Sequence, residues 1–115
     1  MANKRDELII KYAAHLKDKF NLSPDMALLK KVAIGLGPSI YNRDSANVSG
    51  TDEKELATVK NNFLIKKLGL SEELPLDEAI SEIMATYGVS ERTKYRVVIY
   101  YLLTIKFGRE EVYNN

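Results

Sequence analysis

Apolar residues recur along this chain at the three- and four-residue steps of a helix, in five blocks set apart by Gly, Pro, Ser and Asn. The first block predicts a helix over about 4–20, with Leu8, Ile9, Tyr12, Ala13, Leu16 and Phe20 on one face. Asn3 is its expected N-cap, and Asp6 sits in the first turn, where the helix dipole favours an acid. The second helix is expected to open at Ser23-Pro24-Asp25, with a serine cap and proline in the first helical position. Met26, Leu29, Val32, Ala33 and Leu36 would line its buried side, and Gly37-Pro38 would stop it. Residues 39–51, rich in Ser, Asn, Asp and Gly, read as a loop pinned to the core by Ile40, Tyr41 and Val48, with room for a short helical turn.

The third helix is expected from Asp52 to Gly69, with Glu55 as the capping-box partner of Asp52 and Leu70 closing a Schellman stop. The fourth runs from near Pro75 to before Gly88. Leu76, Ala79, Ile80, Ile83, Met84 and Tyr87 form its apolar stripe, with Asp77, Glu78 and Glu82 opposite. The fifth is expected after a Ser90 cap and ends at Gly108. Its Val97-Val98-Ile99-Tyr100-Tyr101 has strand-like composition, but the length between serine and glycine decides for a helix. Because it is apolar nearly all round, it belongs either at the centre of the domain or in a subunit interface. The polar tail from Arg109 to Asn115 is expected to fray. These elements predict an all-α fold, a compact orthogonal multihelical domain of about five helices, with residues 1–115 forming one domain.

Composition narrows the chemistry more than the fold. The 115 residues are 45% hydrophobic and 29% charged, as in a globular domain with a real core. There is no cysteine, which excludes disulfides, thiolate metal sites, iron–sulfur clusters and cysteine nucleophiles. Seventeen basic and 16 acidic residues leave a net charge of +1, too little for a strong pull on nucleic acid or anionic membrane. The longest nearly apolar run, Val97 to Ile105, is about half of what spans a bilayer. The first residues lack the apolar core of a secretory leader, so the expected protein is soluble and cytoplasmic.

Few residues invite chemistry. His15, the one histidine, lies at the edge of the first apolar face. A single imidazole without cysteine builds no His/Cys metal site, and nothing places a nucleophile beside it, so a boundary residue is expected. Gly35-Leu36-Gly37-Pro38-Ser39 lacks the Gly-Lys-Ser/Thr ending of a phosphate loop and follows a helix, which leaves helix termination as its role. No Asp/Glu pair is marked out as an acid/base couple, and neither a calcium loop nor a His-Glu-x-x-His motif occurs. No cofactor and no metal are expected.

Three groups of residues carry surface hypotheses. Lys60 and Lys67 lie seven apart, on one side of an ideal helix, among Leu56, Phe63 and Leu64. Either their stems pack while the ammonium groups reach water or a carboxylate, or with Lys66 they form a small cationic site for an anion or a partner. Residues 88–97 have the spacing of the turn and start of a recognition helix in helix-turn-helix proteins. Lys94, however, stands where that pattern wants a buried aliphatic side chain, and Met84 where it wants a small one. Tyr95, Tyr100 and Tyr101, with Arg96, offer the Tyr/Arg composition favoured at protein interfaces, or ordinary core filling with hydroxyls at the rim.

The opening Lys4-Arg5-Asp6-Glu7-Leu8-Ile9, the junction Ile34-Gly35-Leu36-Gly37-Pro38-Ser39-Ile40-Tyr41-Asn42, the stretch Asn62 to Leu70, and Lys94-Tyr95-Arg96 followed by Tyr100-Tyr101-Leu102-Leu103 together resemble the bacterial family catalogued as domain of unknown function 2853. The resemblance spans nearly the whole chain. It implies a compact multihelical fold in a bacterial cytoplasmic protein, and it implies no activity and no functional residues.

Three functions stay open. The first is a non-enzymatic helical module that self-associates or binds a protein partner, using Tyr95, Arg96, Tyr100 and Tyr101. The second is a small-molecule or anion binder, or a small enzyme, with Tyr41, Asn42, Arg43, Lys66 and Lys67 converging on one pocket. The third is nucleic-acid binding through Arg92, Lys94 and Arg96.

Overall fold

The five apolar blocks become five helical stretches in the computed structural model, which describes residues 4–88, 91 and 93–113; the side chains of Arg43 and Asp44 lie outside that description. α1 (Lys4–Phe20), α2 (Met26–Leu36), α5 (Leu76–Tyr87) and α6 (Arg96–Lys106) are regular. α4 (Glu53–Thr58) runs on into a π-helix (Val59–Lys67), and these two form the third predicted helix. A 3-10 turn (Gly37–Tyr41) and the one-turn α3 (Arg43–Ala46) occupy the predicted loop, and a second 3-10 turn (Glu110–Tyr113) follows α6. Among the described residues there is no strand, only an isolated antiparallel bridge between Asn47 and Tyr95. The fold is all-α.

α6 is the axis of the molecule. Every residue from Arg96 to Thr104 is buried, and the helix packs against α1, α2, α3 and α5. Its β-branched and aromatic run is helical because burial on all sides outweighs the modest strand preference of those residues. The core continues through Ile9, Tyr12 and Leu16 of α1, Leu28, Leu29, Val32 and Ala33 of α2, and the predicted stripe of α5. The radius of gyration, 13.2 Å, matches the value of about 13 Å expected for a close-packed chain of this length. No described helix is long and apolar enough to cross a membrane.

Several local expectations are corrected. The cap of α2 is Asp25, not Ser23: its carboxylate accepts from the N–H groups of Ala27 and Leu28, and Pro24 therefore precedes the cap. A charged acceptor at the positive end of the helix dipole outcompetes a hydroxyl two residues earlier. The buried face of α2 turns with it, leaving Met26 46% exposed and burying Leu28. Asp52 does cap α4, through Lys54 and Glu55 N–H, but Glu55 does not close a capping box because Arg96 holds its carboxylate. Ile40 and Val48 are buried as expected, while Tyr41 stands exposed.

Leu70 N–H bonds Leu64 O (3.0 Å) behind Gly69, whose φ of +71° suits a residue without Cβ. α6 begins only at Arg96, because Tyr95 ahead of it is extended and Lys94 O accepts from Val48 N–H (2.8 Å). The tail is packed as far as Tyr113, whose ring edge lies close enough to Gly35 that a Cβ there would meet it at 3.4 Å. The predicted caps Asn3 and Ser90 lie outside the described residues, as do Arg92 and the last two residues.

Candidate functional site

The loop that joins α2 to α4 is held in place by one buried guanidinium. Arg96, 8% exposed, donates from Nε to Ser45 O (2.7 Å) and from Nη1 to the Tyr100 hydroxyl (3.1 Å). Its Nη2 reaches Asn47 O (3.4 Å) and both carboxylate oxygens of Glu55 (2.9 and 3.1 Å). Burial alone would lower its pKa; the Tyr100 hydroxyl and the Glu55 carboxylate outweigh that and raise it. The five N–H donors of a guanidinium suit this role, since a single side chain can tie α3, the 45–47 backbone, α4 and α6 together.

Beyond this clamp the chain crosses over α5 and leaves a cleft of about 780 Å³. Its apolar wall is Val48, Leu56, Ile80, Met84 and Ala85; its polar rim is Ser49, Thr51, Asp52, Glu55, Ser81 and Glu91; and Lys94 completes it. Gly50 lies over the floor, where a Cβ would touch Met84 Sδ (3.7 Å) and Lys94 Cε (3.8 Å). The size and the mixed lining are those of small-molecule sites.

Three acids border the cleft, and each is already engaged. Asp52 caps α4, Glu55 is paired with Arg96, and Glu91 accepts from Thr93 N–H (3.1 Å) and pairs with Lys19 (3.1 Å). The Thr93 N–H, followed by the Lys19 ammonium, lowers the pKa of Glu91. Lys94 differs from them. It is only 8% exposed, and its ammonium makes one hydrogen bond among the described residues, to the backbone carbonyl of Glu91. It forms no ion pair among them. An ammonium has three donors, so among the described residues part of its capacity is unused.

Behind the cleft wall an aromatic cluster supports the 91–95 segment. His15 Nδ1 meets the Tyr87 hydroxyl at 2.5 Å, and the same oxygen accepts from Tyr95 N–H at 3.2 Å. The Tyr95 ring packs against Tyr12 and His15, each with centroids 4.9 Å apart. Burial lowers the pKa of His15, raises that of Tyr87, and pushes Tyr12 up to about 12.

The residues singled out from sequence fall in four places. Tyr100 is buried and stacked on Phe63 (3.8 Å between centroids), and Tyr101 is buried with its hydroxyl accepting from Asp25 N–H (2.8 Å). With Arg96 they are consumed inside one chain, and Tyr95 is half-buried in the aromatic cluster. Tyr41 is 45% exposed beside a smaller notch of about 280 Å³ with Arg5, Ile34 and Pro38; Lys4 lies over its ring, and Asn42 is exposed next to it. The Arg43 side chain lies outside the described residues. Lys60 bonds Asp77 (3.1 Å), while Lys67 lies over the Tyr113 ring (5.2 Å) and Lys66 is exposed.

Neither the cleft nor the notch gathers Tyr41 with Lys66 and Lys67. The two lysines seven apart also do not act together, because the π-helix breaks the 3.6-residue periodicity on which that alignment rested. Lys94 is the buried residue that the recognition-helix pattern demands, but it sits ahead of α6, and the described residues 91 and 93–95 are not helical. The cleft residues Val48, Gly50 and Met84 had no sequence signal as a group. Lys94 had one: a charged side chain at a position framed for an apolar one.

A family model described as "Protein of unknown function (DUF2853)" matches residues 11–111. No curated protein matches the chain.

Proposed function

Because the chain belongs to the DUF2853 family, whose description assigns no activity, we propose a function from its own geometry: a non-catalytic binding domain that takes a small, part-apolar molecule in the cleft between the 47–52 loop, α5 and Lys94. The observation that carries this reading is the lining itself, apolar side chains of Val48, Leu56, Ile80, Met84 and Ala85 together with a rim of hydroxyls, carboxylates and one buried ammonium. The carboxylates of the rim are tied into caps and ion pairs, and His15 is tied to Tyr87 outside the cleft, so the arrangement favours holding a ligand over acid/base chemistry. The grounds for self-association weaken correspondingly. The all-round apolar helix that suggested an interface is enclosed by the helices of its own chain, and its tyrosines and arginine have internal partners.

The test uses an eight-carbon chain as probe. Calorimetric titration with octan-1-ol and with sodium octanoate should show saturable one-site binding of at least one of them. Ala85→Trp, at an exposed position of α5 on the cleft wall, should abolish it without changing the helical circular dichroism. Binding that survives the tryptophan, or no binding of either probe, rejects the cleft as the site.

A further inference from the structure

Lys94 narrows the ligand class, on the premise that the cleft is the binding site. An ammonium taken out of water is costly unless a counter-charge or a full set of acceptors meets it. Among the described residues one carbonyl, that of Glu91, accepts from it, and the nearby acids are spoken for: Glu55 by Arg96, Glu91 by Lys19, and Asp52 by the N-terminus of α4. A buried cation with unused donors beside an apolar wall is complementary to a molecule that brings its own negative charge on an apolar body. One ammonium balances one negative charge. The acids at the rim disfavour a dianion, and a cationic head would meet Lys94 itself.

We propose that the cleft binds an amphiphilic monocarboxylate, with its carboxylate on the Lys94 ammonium and its chain along Val48 and Met84. A charge-assisted hydrogen bond is stronger than its neutral counterpart, so the acid should bind about tenfold tighter than the alcohol of the same length. Lys94→Met keeps the stem and removes the charge, and should bring the acid down to the level of the alcohol.

The experiment is calorimetric titration of the full chain with octanoate, octan-1-ol and octylamine at one ionic strength, repeated on Lys94→Met and Lys94→Arg. The expected result is octanoate tightest on the natural protein, an advantage lost in Lys94→Met and retained in Lys94→Arg. Octanol or octylamine binding as tightly as octanoate overturns the carboxylate assignment and leaves the cleft reading standing, as does an octanoate preference that survives Lys94→Met. Binding of neither octanoate nor octan-1-ol removes both. Should Lys94→Met fail to fold, the comparison of the three probes on the natural protein still decides.

Discussion

Nη2 of Arg96 lies 2.9 Å from Oε1 and 3.1 Å from Oε2 of Glu55, so the glutamate three residues into α4 is bound to a helix 41 residues further along rather than to its own cap. The pair closes one end of the loop that covers the cleft. Replacing Arg96 with Leu strands the Glu55 carboxylate and the Ser45 and Asn47 carbonyls. The expected loss is about 2–4 kcal/mol in urea unfolding. Arg96→Lys should recover little of it, since an ammonium cannot span the four partners. Glu55→Gln, which keeps an acceptor, should cost about 1 kcal/mol. Equal losses for Arg96→Leu and Glu55→Gln would mean that the clamp is not the organising contact.

The corrected cap of α2 separates two neighbouring residues cleanly. Asp25→Ala removes the acceptor for Ala27 and Leu28 N–H and should cost about 1 kcal/mol, within the usual range for lost caps. Ser23→Ala should stay within about 0.5 kcal/mol of the natural protein, as surface substitutions do. Thermal melts of the two variants side by side check this ordering.

His15 makes the fold sensitive to mild acid. Its partial burial lowers its pKa below the ordinary 6.5, against the opposing pull of Glu91. Above 6.5 the imidazole is neutral in both folded and unfolded chains, and it adds no pH dependence. As the pH falls from about 6.5 toward the lower folded value, the unfolded chain takes up a proton that the folded chain does not, so stability declines. Urea midpoints at pH 7.5 and 5.5 should fall for the natural protein and fall less for His15→Gln. An equal fall in both would place the acid sensitivity elsewhere.

Helices were legible because their cause is local. Periodic apolar positions, Asp52 as a cap and Gly69 as a stop act within a few residues, and they gave the five helical stretches and the α5 stripe. What was not legible depends on partners far along the chain. Glu55 has the spacing of a capping box, and only the arrival of Arg96 diverts it. Lys60 and Lys67 align on an ideal helix, and only the π-helix separates them. Tyr100 and Tyr101 suit an interface by composition, yet Phe63 and the cap of α2 claim them. The cleft draws on the 47–52 loop, α4, α5 and the 91–94 segment, and no spacing within the sequence joins those pieces. Lys94 and Met84 were conspicuous one by one, as departures from the recognition-helix pattern, but nothing in the sequence joined them to a cleft.

The most direct test of the cleft uses its methionine. With 13C-labelled methionine methyl groups, Met84 reports from the cleft wall and Met26, exposed on α2, serves as an internal control. On titration with octanoate the Met84 signal should move along a saturating curve while the Met26 signal stays in place. A Met84 signal that moves with neither octanoate nor octan-1-ol, or the two signals drifting together without saturation, would contradict binding in the cleft.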